Sequence, residues 1–95
     1  MITKEKISRG MEQGVIRLVA DPNMGSGTVC SIGDNWFYFG GLTAEELSPE
    51  EYLKEVPKQD IVDEIFTVLE DFKKYEAEVG DEYRYYDAVL AEAGL

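Results

Sequence analysis

The fold is decided by residues 28–41, which read Thr28-Val29-Cys30-Ser31-Ile32-Gly33-Asp34-Asn35-Trp36-Phe37-Tyr38-Phe39-Gly40-Gly41. The β-branched and aromatic residues in this stretch predict two strands, over residues 28–32 and 36–39. Residues 33–35, between them, are of types that tolerate a positive φ angle, which predicts a hairpin turn. The glycine pair 40–41 is expected to end the sheet.

A third strand is predicted upstream, at residues 15–20, where β-branched residues again dominate. Residues 21–27 connect it to the strand at 28–32 as a hairpin loop. Because short connections join antiparallel neighbours, we expect a β-meander in the order 1-2-3. The glycines of the 21–27 loop do not indicate a phosphate site, since a strand and not a helix follows them.

The segment before the meander is predicted to be a short amphipathic helix at about residues 4–13. Thr3 is a suitable N-cap for it, and Gly14 stands where a left-handed residue would end it. Gly10 weakens this prediction, because glycine in a helix interior is unfavourable.

Helical patterns follow the meander. Thr43 and Ser48 each begin a capping box, and the second box opens a short helix that Pro57 stops. A wide apolar stripe predicts the longest helix over about residues 58–78. Asp81 is expected to cap a last helix.

These elements predict a single α+β domain over residues 1–95. It consists of an N-terminal helix, a three-stranded antiparallel β-meander, and two to four helices that pack on one face of the sheet. With 44% hydrophobic and 12% aromatic residues, the chain is too apolar to be a disordered tail.

The cysteine content and the N-terminus predict a cytoplasmic, soluble protein. Cys30 is the only cysteine, whereas small secreted domains usually carry several disulfides. Residues 1–6 contain no apolar leader segment, and no later run approaches membrane-spanning length. No membrane association is therefore expected.

The net charge of −11 is unevenly distributed. Residues 1–42 contain four acidic and four basic residues, whereas residues 43–95 contain 16 acidic and five basic residues and so carry the whole net charge. An anionic surface repels nucleic acid and favours basic partners. Direct DNA or RNA binding is not expected.

One residue type that is central to catalysis is missing. The sequence has no histidine, which removes the commonest general base and the usual activator of a serine or cysteine nucleophile. Cys30 has no cationic neighbour in sequence and is expected to be a buried or half-buried structural cysteine. One cysteine without histidine cannot form a structural zinc site, and no cofactor is predicted.

The carboxylates of the long helix are the weaker candidate site. Asp60, Glu64 and Asp71 have a spacing that could hold a divalent ion, and this spacing resembles the acidic helices of all-α nucleotide pyrophosphohydrolases. Those proteins, however, have helices where this chain has its meander. A solvated helix face is the alternative interpretation, and it is the one we favour.

The aromatic residues are the stronger candidates, and they are predicted to form an interface. The strand at 36–39 carries large rings on both faces, so that either Trp36 and Tyr38 or Phe37 and Phe39 should enter the core. The other pair must be covered by another element or by a second molecule. The last helix adds three further tyrosines, Tyr83, Tyr85 and Tyr86. The alternative is that all these rings complete the core of one chain.

Several segments, 21–23, 33–41, 48–52 and 60–66, resemble small acidic proteins of gram-positive gut bacteria that are often encoded on conjugative or other mobile elements. The resemblance covers most of the chain. That family has no established activity, so the resemblance implies a bacterial cytosolic accessory protein and assigns no site residue.

Three functions are compatible with these observations. The first is a non-enzymatic protein-interaction module that uses the aromatic strand or the last helix as its contact surface. We expect it to self-associate, and a partner protein is the alternative. The second is an acidic inhibitor that mimics DNA, of the anti-restriction or anti-CRISPR type. The third is a Mg²⁺-dependent hydrolase built on the carboxylates of the long helix. The excess of large rings and the missing catalytic residues favour the first.

Overall fold

Three antiparallel strands form a sheet in the order β1-β2-β3, as the sequence predicts. The strands are β1 (Ile16–Ala20), β2 (Thr28–Ile32) and β3 (Asn35–Phe37). The computed structural model describes residues 2–38, 42–79, 88, 90–91 and 93–95. Within these residues the chain is an α+β protein, with one helix before the sheet and further helices after it.

The N-terminal helix α1 (Lys4–Glu12) begins and ends where its capping residues predict. The Thr3 side chain accepts a hydrogen bond from the backbone N–H of Lys6, and Gly14 has a φ angle of 78°. Gly10, which weakens the helix prediction, has a tertiary reason: a Cβ atom there would lie 2.8 Å from Cδ1 of Ile16. Glycine therefore lets α1 pack closely against β1.

The β2–β3 turn is tighter than predicted. Ile32 pairs with Asn35, so the turn has only two residues, Gly33 and Asp34, and Asn35 is the first residue of β3. The φ angle of Gly33 is 59° and that of Asp34 is not positive, as in a type II′ turn. The predicted strand at 36–39 is thus shifted: β3 begins one residue earlier and ends at Phe37.

The helices after the sheet are α2 (Leu42–Glu46), α3 (Pro49–Glu55) and α4 (Lys58–Val79). Ser48 caps α3, with Pro49 at its first position, as the second capping box predicts. Helix α2 begins before Thr43, so Thr43 is not the N-cap that the first capping box predicts. A helix end can shift by one residue without changing the face that packs.

One face of the sheet forms the core with the helices. Ile16, Cys30, Ile32 and Phe37 of the sheet belong to one buried cluster with α1, α2, α3 and α4. The apolar stripe of α4 enters this cluster through four residues, Ile61, Val62, Ile65 and Leu69. The register places all the sheet members on the same face, since side chains alternate along each strand.

The predicted last helix falls mostly outside the residues that the structure describes. Among those it does describe near the C-terminus, Leu90 is buried in the core. None of the described helices combines the length and the apolarity needed to cross a bilayer.

Candidate functional site

Strand β3 separates its rings between the core and the surface. Phe37 is buried, with 6% of its surface exposed, whereas Trp36 is 56% exposed and Tyr38 is 59% exposed. The sequence predicts that one of the two alternating sets enters the core, and the structure shows that it is the set containing Phe37. Phe39, the other member of that set, lies outside the described residues.

Phe37 is held in the core by Phe72 of α4. Their ring centroids are 5.5 Å apart and their planes meet at 84°, an edge-to-face arrangement. This contact keeps Phe37 in the core, and the alternation of side chains along the strand leaves Trp36 exposed at the edge of the sheet.

The loop between β1 and β2 adds Met24 to this exposed region. Met24 is 73% exposed, and the Asp21 carboxylate accepts hydrogen bonds from the backbone N–H groups of Asn23 (2.8 Å) and Met24 (3.2 Å). The Asn23 side-chain amide donates to the Tyr38 hydroxyl, which ties the loop to the residue after β3. We call Met24, Trp36 and Tyr38 the aromatic surface.

Two cavities border the aromatic surface. The larger, of about 510 Å³, lies between the β1–β2 loop, α2 and α4, and we call it the loop cavity. The smaller, of about 420 Å³, lies between β3 and α4 and is lined by Trp36, Phe37, Tyr38, Val68, Asp71 and Phe72. We call it the β3–α4 cleft. Because Tyr38 and Val68 line both cavities, the two form neighbouring parts of one depression.

Among the described residues, the charged ones that line the two cavities are acidic. Asp21 and Glu45 line the loop cavity, and Asp71 lines the β3–α4 cleft. No lysine or arginine is among the described lining residues of either cavity. The depression is thus apolar with a negative charge, which suits a ligand that is both apolar and basic.

The carboxylates proposed for a metal ion do not form a metal site. Within residues 58–79, which hold all three, Asp60 is exposed, Asp71 lines the β3–α4 cleft, and Glu64 accepts a hydrogen bond from the buried Tyr52 hydroxyl. No group of three potential metal ligands exists among the residues that the structure describes. The neighbouring Asp63 binds Lys4 at 3.0 Å, so this part of α4 serves internal contacts.

Cys30 has the environment of a structural cysteine. It lies in the middle of β2 with 1% of its surface exposed. Burial raises the pKa of its thiol to about 12, which keeps the reactive thiolate form negligible at neutral pH. The prediction of a buried structural cysteine is confirmed.

Trp36 and Tyr38 are predicted from the sequence, whereas Met24 and the acidic residues that line the depression are not. The signal for Met24 was weak, since a methionine in a hairpin loop is recognisable as a contact residue only once the loop is placed beside Tyr38. Tyr83, Tyr85 and Tyr86 lie outside the described residues, and their predicted interface role stays a prediction.

Comparisons with known proteins give no match. No family model matches the sequence, and neither a curated protein nor a solved structure is significantly similar to it.

Proposed function

We propose that this protein is a non-enzymatic protein-interaction module that binds a partner protein through the aromatic surface. The observation that carries the proposal is the exposure of Trp36 and Tyr38, each more than half exposed beside a cleft in a small domain. Tryptophan and tyrosine are enriched at protein interfaces, where they supply most of the binding energy. Met24 adds a flexible apolar side chain suited to such a contact.

The partner that suits this surface best is a protein with a basic and apolar contact region. The described charged residues that line the two cavities are acidic, and the whole chain carries a net charge of −11. Opposite charge accelerates the encounter of two proteins and makes their binding weaken with salt. Nucleic acid is disfavoured as a partner for the same reason.

A second copy of the chain is the alternative partner for the aromatic surface. It corresponds to the self-association that the sequence predicts. In its favour, residues 1–42, which contain the sheet, have no net charge. Against it, two chains of charge −11 repel each other. The two occupants differ in the sign of their salt dependence, because screening strengthens a contact between like charges and weakens one between opposite charges.

The two other functions have less support. Two of the α4 carboxylates, Asp63 and Glu64, already bind groups of the chain itself, which makes them poor mimics of phosphate. A Mg²⁺-dependent hydrolase would need a group of carboxylates that the described residues do not provide. The cytoplasmic location and the accessory role implied by the resemblance are part of our proposal. The single, buried cysteine supports the location.

The test is photo-crosslinking in the native host from Tyr38, with Leu53 as the matched control position. Leu53 lies on α3 and is 53% exposed, so it reports on apolar exposure outside the depression. We expect a partner that crosslinks at position 38 and not at position 53. After purification, this partner should bind the wild type and Leu53→Ser but not Trp36→Ser.

Two results would overturn the proposal. The first is the same set of crosslinked proteins at both positions. The second is a purified partner that binds Trp36→Ser as tightly as the wild type. Sedimentation of the protein alone, at low and high salt, separates the two occupants: a mass that rises with salt identifies a second copy.

A further inference from the structure

The hydrogen-bond pattern of the sheet shows which backbone groups lie at its outer edge. Gly33 N–H donates to the Val15 carbonyl, and Asp21 N–H donates to the Gly27 carbonyl. In an antiparallel pair, hydrogen-bonded and non-hydrogen-bonded pairs alternate, so the odd-numbered residues of β2 face β1. The even-numbered residues of β2, Cys30 and Ile32, therefore face β3.

This alternation places the backbone N–H and C=O groups of Trp36 on the outer side of β3. Cys30 pairs with Phe37 and Ile32 pairs with Asn35, and these are the hydrogen-bonded pairs. Trp36 is opposite Ser31, in a non-hydrogen-bonded pair, so its polar backbone groups point away from β2. Among the described loop and turn hydrogen bonds, none reaches Trp36.

Apart from its shortness, which itself limits strand addition, the described part of the edge at β3 lacks the usual features that prevent it. Its three residues, Asn35–Phe37, include no charged residue and no proline, and the register with β2 contains no bulge. The β3–α4 cleft lies directly beside these residues, with Val68 and Phe72 as apolar walls and Asp71 as the one charged residue among its described lining residues. An added strand would thus find a backbone donor and acceptor, an apolar wall and a negative charge in one place.

We propose that the partner contributes an extended, basic segment that adds to β3 as a fourth strand of the sheet. This inference rests on the proposed interaction function and specifies its ligand. The segment exchanges backbone hydrogen bonds with Trp36 and packs apolar side chains against Val68 and Phe72. Its lysine or arginine side chains lie in the field of Asp71. Main-chain pairing provides affinity in this mode of recognition, and the pockets for alternate side chains provide specificity.

Synthetic peptides provide a direct test, because Trp36 is the only tryptophan and its fluorescence reports on this site. The probes are a peptide that alternates lysine and valine, one that alternates glutamate and valine, and a lysine–valine peptide N-methylated on every second residue. The last is made in two versions, methylated on the odd or on the even residues, so that each version lacks the backbone N–H donors along one of its two edges. We expect the first peptide to bind, with protection of the Trp36 amide from hydrogen exchange.

The other two peptides test the two parts of the proposal separately. The version that is methylated along the peptide edge facing β3 should bind at least about tenfold more weakly, because the backbone groups buried at that edge lose their hydrogen-bond partners. The glutamate–valine peptide should not bind at low salt. Asp71→Asn should weaken binding of the lysine–valine peptide, whereas Asp60→Asn, an exposed carboxylate on the same helix but outside the cleft, should not.

Each contrary result has a distinct meaning. If both N-methylated registers bind as tightly as the unmodified peptide, strand addition is overturned while the interaction function stands. Equal binding of the glutamate–valine peptide overturns the basic character of the partner. If no peptide binds while crosslinking at Tyr38 still identifies a partner, this inference fails alone. Protection of the Trp36 amide in a dimer without peptide shows that a second copy occupies the edge, which overturns the choice of partner.

Discussion

The rings of Phe37 and Phe72 meet edge to face, at a centroid distance of 5.5 Å and an interplanar angle of 84°. This contact joins the outer strand of the sheet to the longest helix. It fixes which face of β3 is buried, and it leaves Trp36 on the other face, 56% exposed. The exposed surface to which we assign function therefore depends on a core contact made by the neighbouring residue.

Replacement of Phe37 by alanine should lower the free energy of unfolding by about 3–5 kcal/mol, because a buried ring is lost and a cavity remains. Trp36→Ala, on the same strand, is the control and should change stability by about 1 kcal/mol or less. A double-mutant cycle with Phe72→Ala, followed by urea denaturation, should give a coupling of about 0.5–1.5 kcal/mol. A coupling free energy of zero would show that the contact between the two rings adds nothing to stability beyond the burial of each ring.

Tyr52 and Glu64 predict a loss of stability at alkaline pH. Tyr52 is buried and its hydroxyl donates to the Glu64 carboxylate. Burial, followed by the hydrogen bond to Glu64 and its charge, raises the pKa of Tyr52. The unfolded chain then releases this proton near the usual tyrosine pKa of about 10, while the folded chain keeps it. The stabilisation is complete below that pH and is lost as the pH rises above it.

The variant Tyr52→Phe should remove part of this alkaline dependence and cost about 1.5–3 kcal/mol at neutral pH, the usual range for a hydrogen bond to a charged group. Urea denaturation across the alkaline range measures both effects. Tyr75→Phe is the matched control, since Tyr75 is 57% exposed, and it should leave the pH dependence unchanged. Identical alkaline profiles for the wild type and Tyr52→Phe would rule out Tyr52 as the responsible group.

Gly10 and Ile16 predict an unusual response to a helix-favouring substitution. Gly10→Ala would gain about 1 kcal/mol in an exposed helix. Here the new Cβ would lie 2.8 Å from Cδ1 and 3.0 Å from Cγ1 of the buried Ile16. Overpacking of this kind typically costs about 1–3 kcal/mol, so we expect a net destabilisation.

Removal of the opposing methyl group tests this explanation. Ile16→Val, which lacks Cδ1, should destabilise the wild type by about 0.5–1.5 kcal/mol. In the Gly10→Ala background, Ile16→Val should lower the stability less than in the wild type, or should raise it. The denaturation midpoints of the wild type, the two single variants and the double variant would show this. Additive effects would mean that the close approach of α1 to β1 is not the reason for glycine at this position.

Lys4 and Asp63 predict an acid-dependent contact between α1 and α4. The hydrogen bond from Lys4, followed by one from Gln59, lowers the pKa of the Asp63 carboxyl. A carboxyl whose folded-state pKa lies below its unfolded value, ordinarily about 4, contributes stability above that pH. This contribution is lost as the pH falls through the folded-state pKa.

An NMR titration of the side-chain carboxyl carbons measures this pKa directly. Lys4→Ala should move the pKa of Asp63 back towards its usual value. That pKa should then depend less on salt concentration than in the wild type. Lys58→Ala removes a second lysine–carboxylate pair of the described residues, with Glu12 at 3.1 Å, and should leave Asp63 unaffected. If Asp63 titrates identically in wild type and Lys4→Ala, the pair does not exist in solution.

Most of the fold was predictable because its signals are local. Thr3, Ser48 and Pro49 mark helix starts through hydrogen bonds to backbone groups a few residues away, and the structure confirms them. Gly33 marks the β2–β3 turn because it adopts a positive φ angle at no steric cost. Short connections then leave only one simple order for the three strands.

The candidate site was only half predictable. Composition and alternation predict that β3 carries more large rings than one face can bury. They do not say which set is buried, because both faces of the strand carry large rings. Phe72, 35 positions further along the chain, decides the matter by its contact with Phe37. Met24 joins the site through the folded β1–β2 loop, in which Asn23 donates a hydrogen bond to Tyr38.

By itself, then, the sequence determined the helices, the strands, the meander order and the uneven charge, since each depends on neighbouring residues or on composition. Tertiary structure alone decided that Trp36 and Tyr38 are exposed, that Glu64 accepts a hydrogen bond from Tyr52, and that the cavities beside β3 include Asp21, Glu45 and Asp71 in their described lining. These features depend on contacts between residues far apart in the chain, whose free energies arise only when the elements pack together.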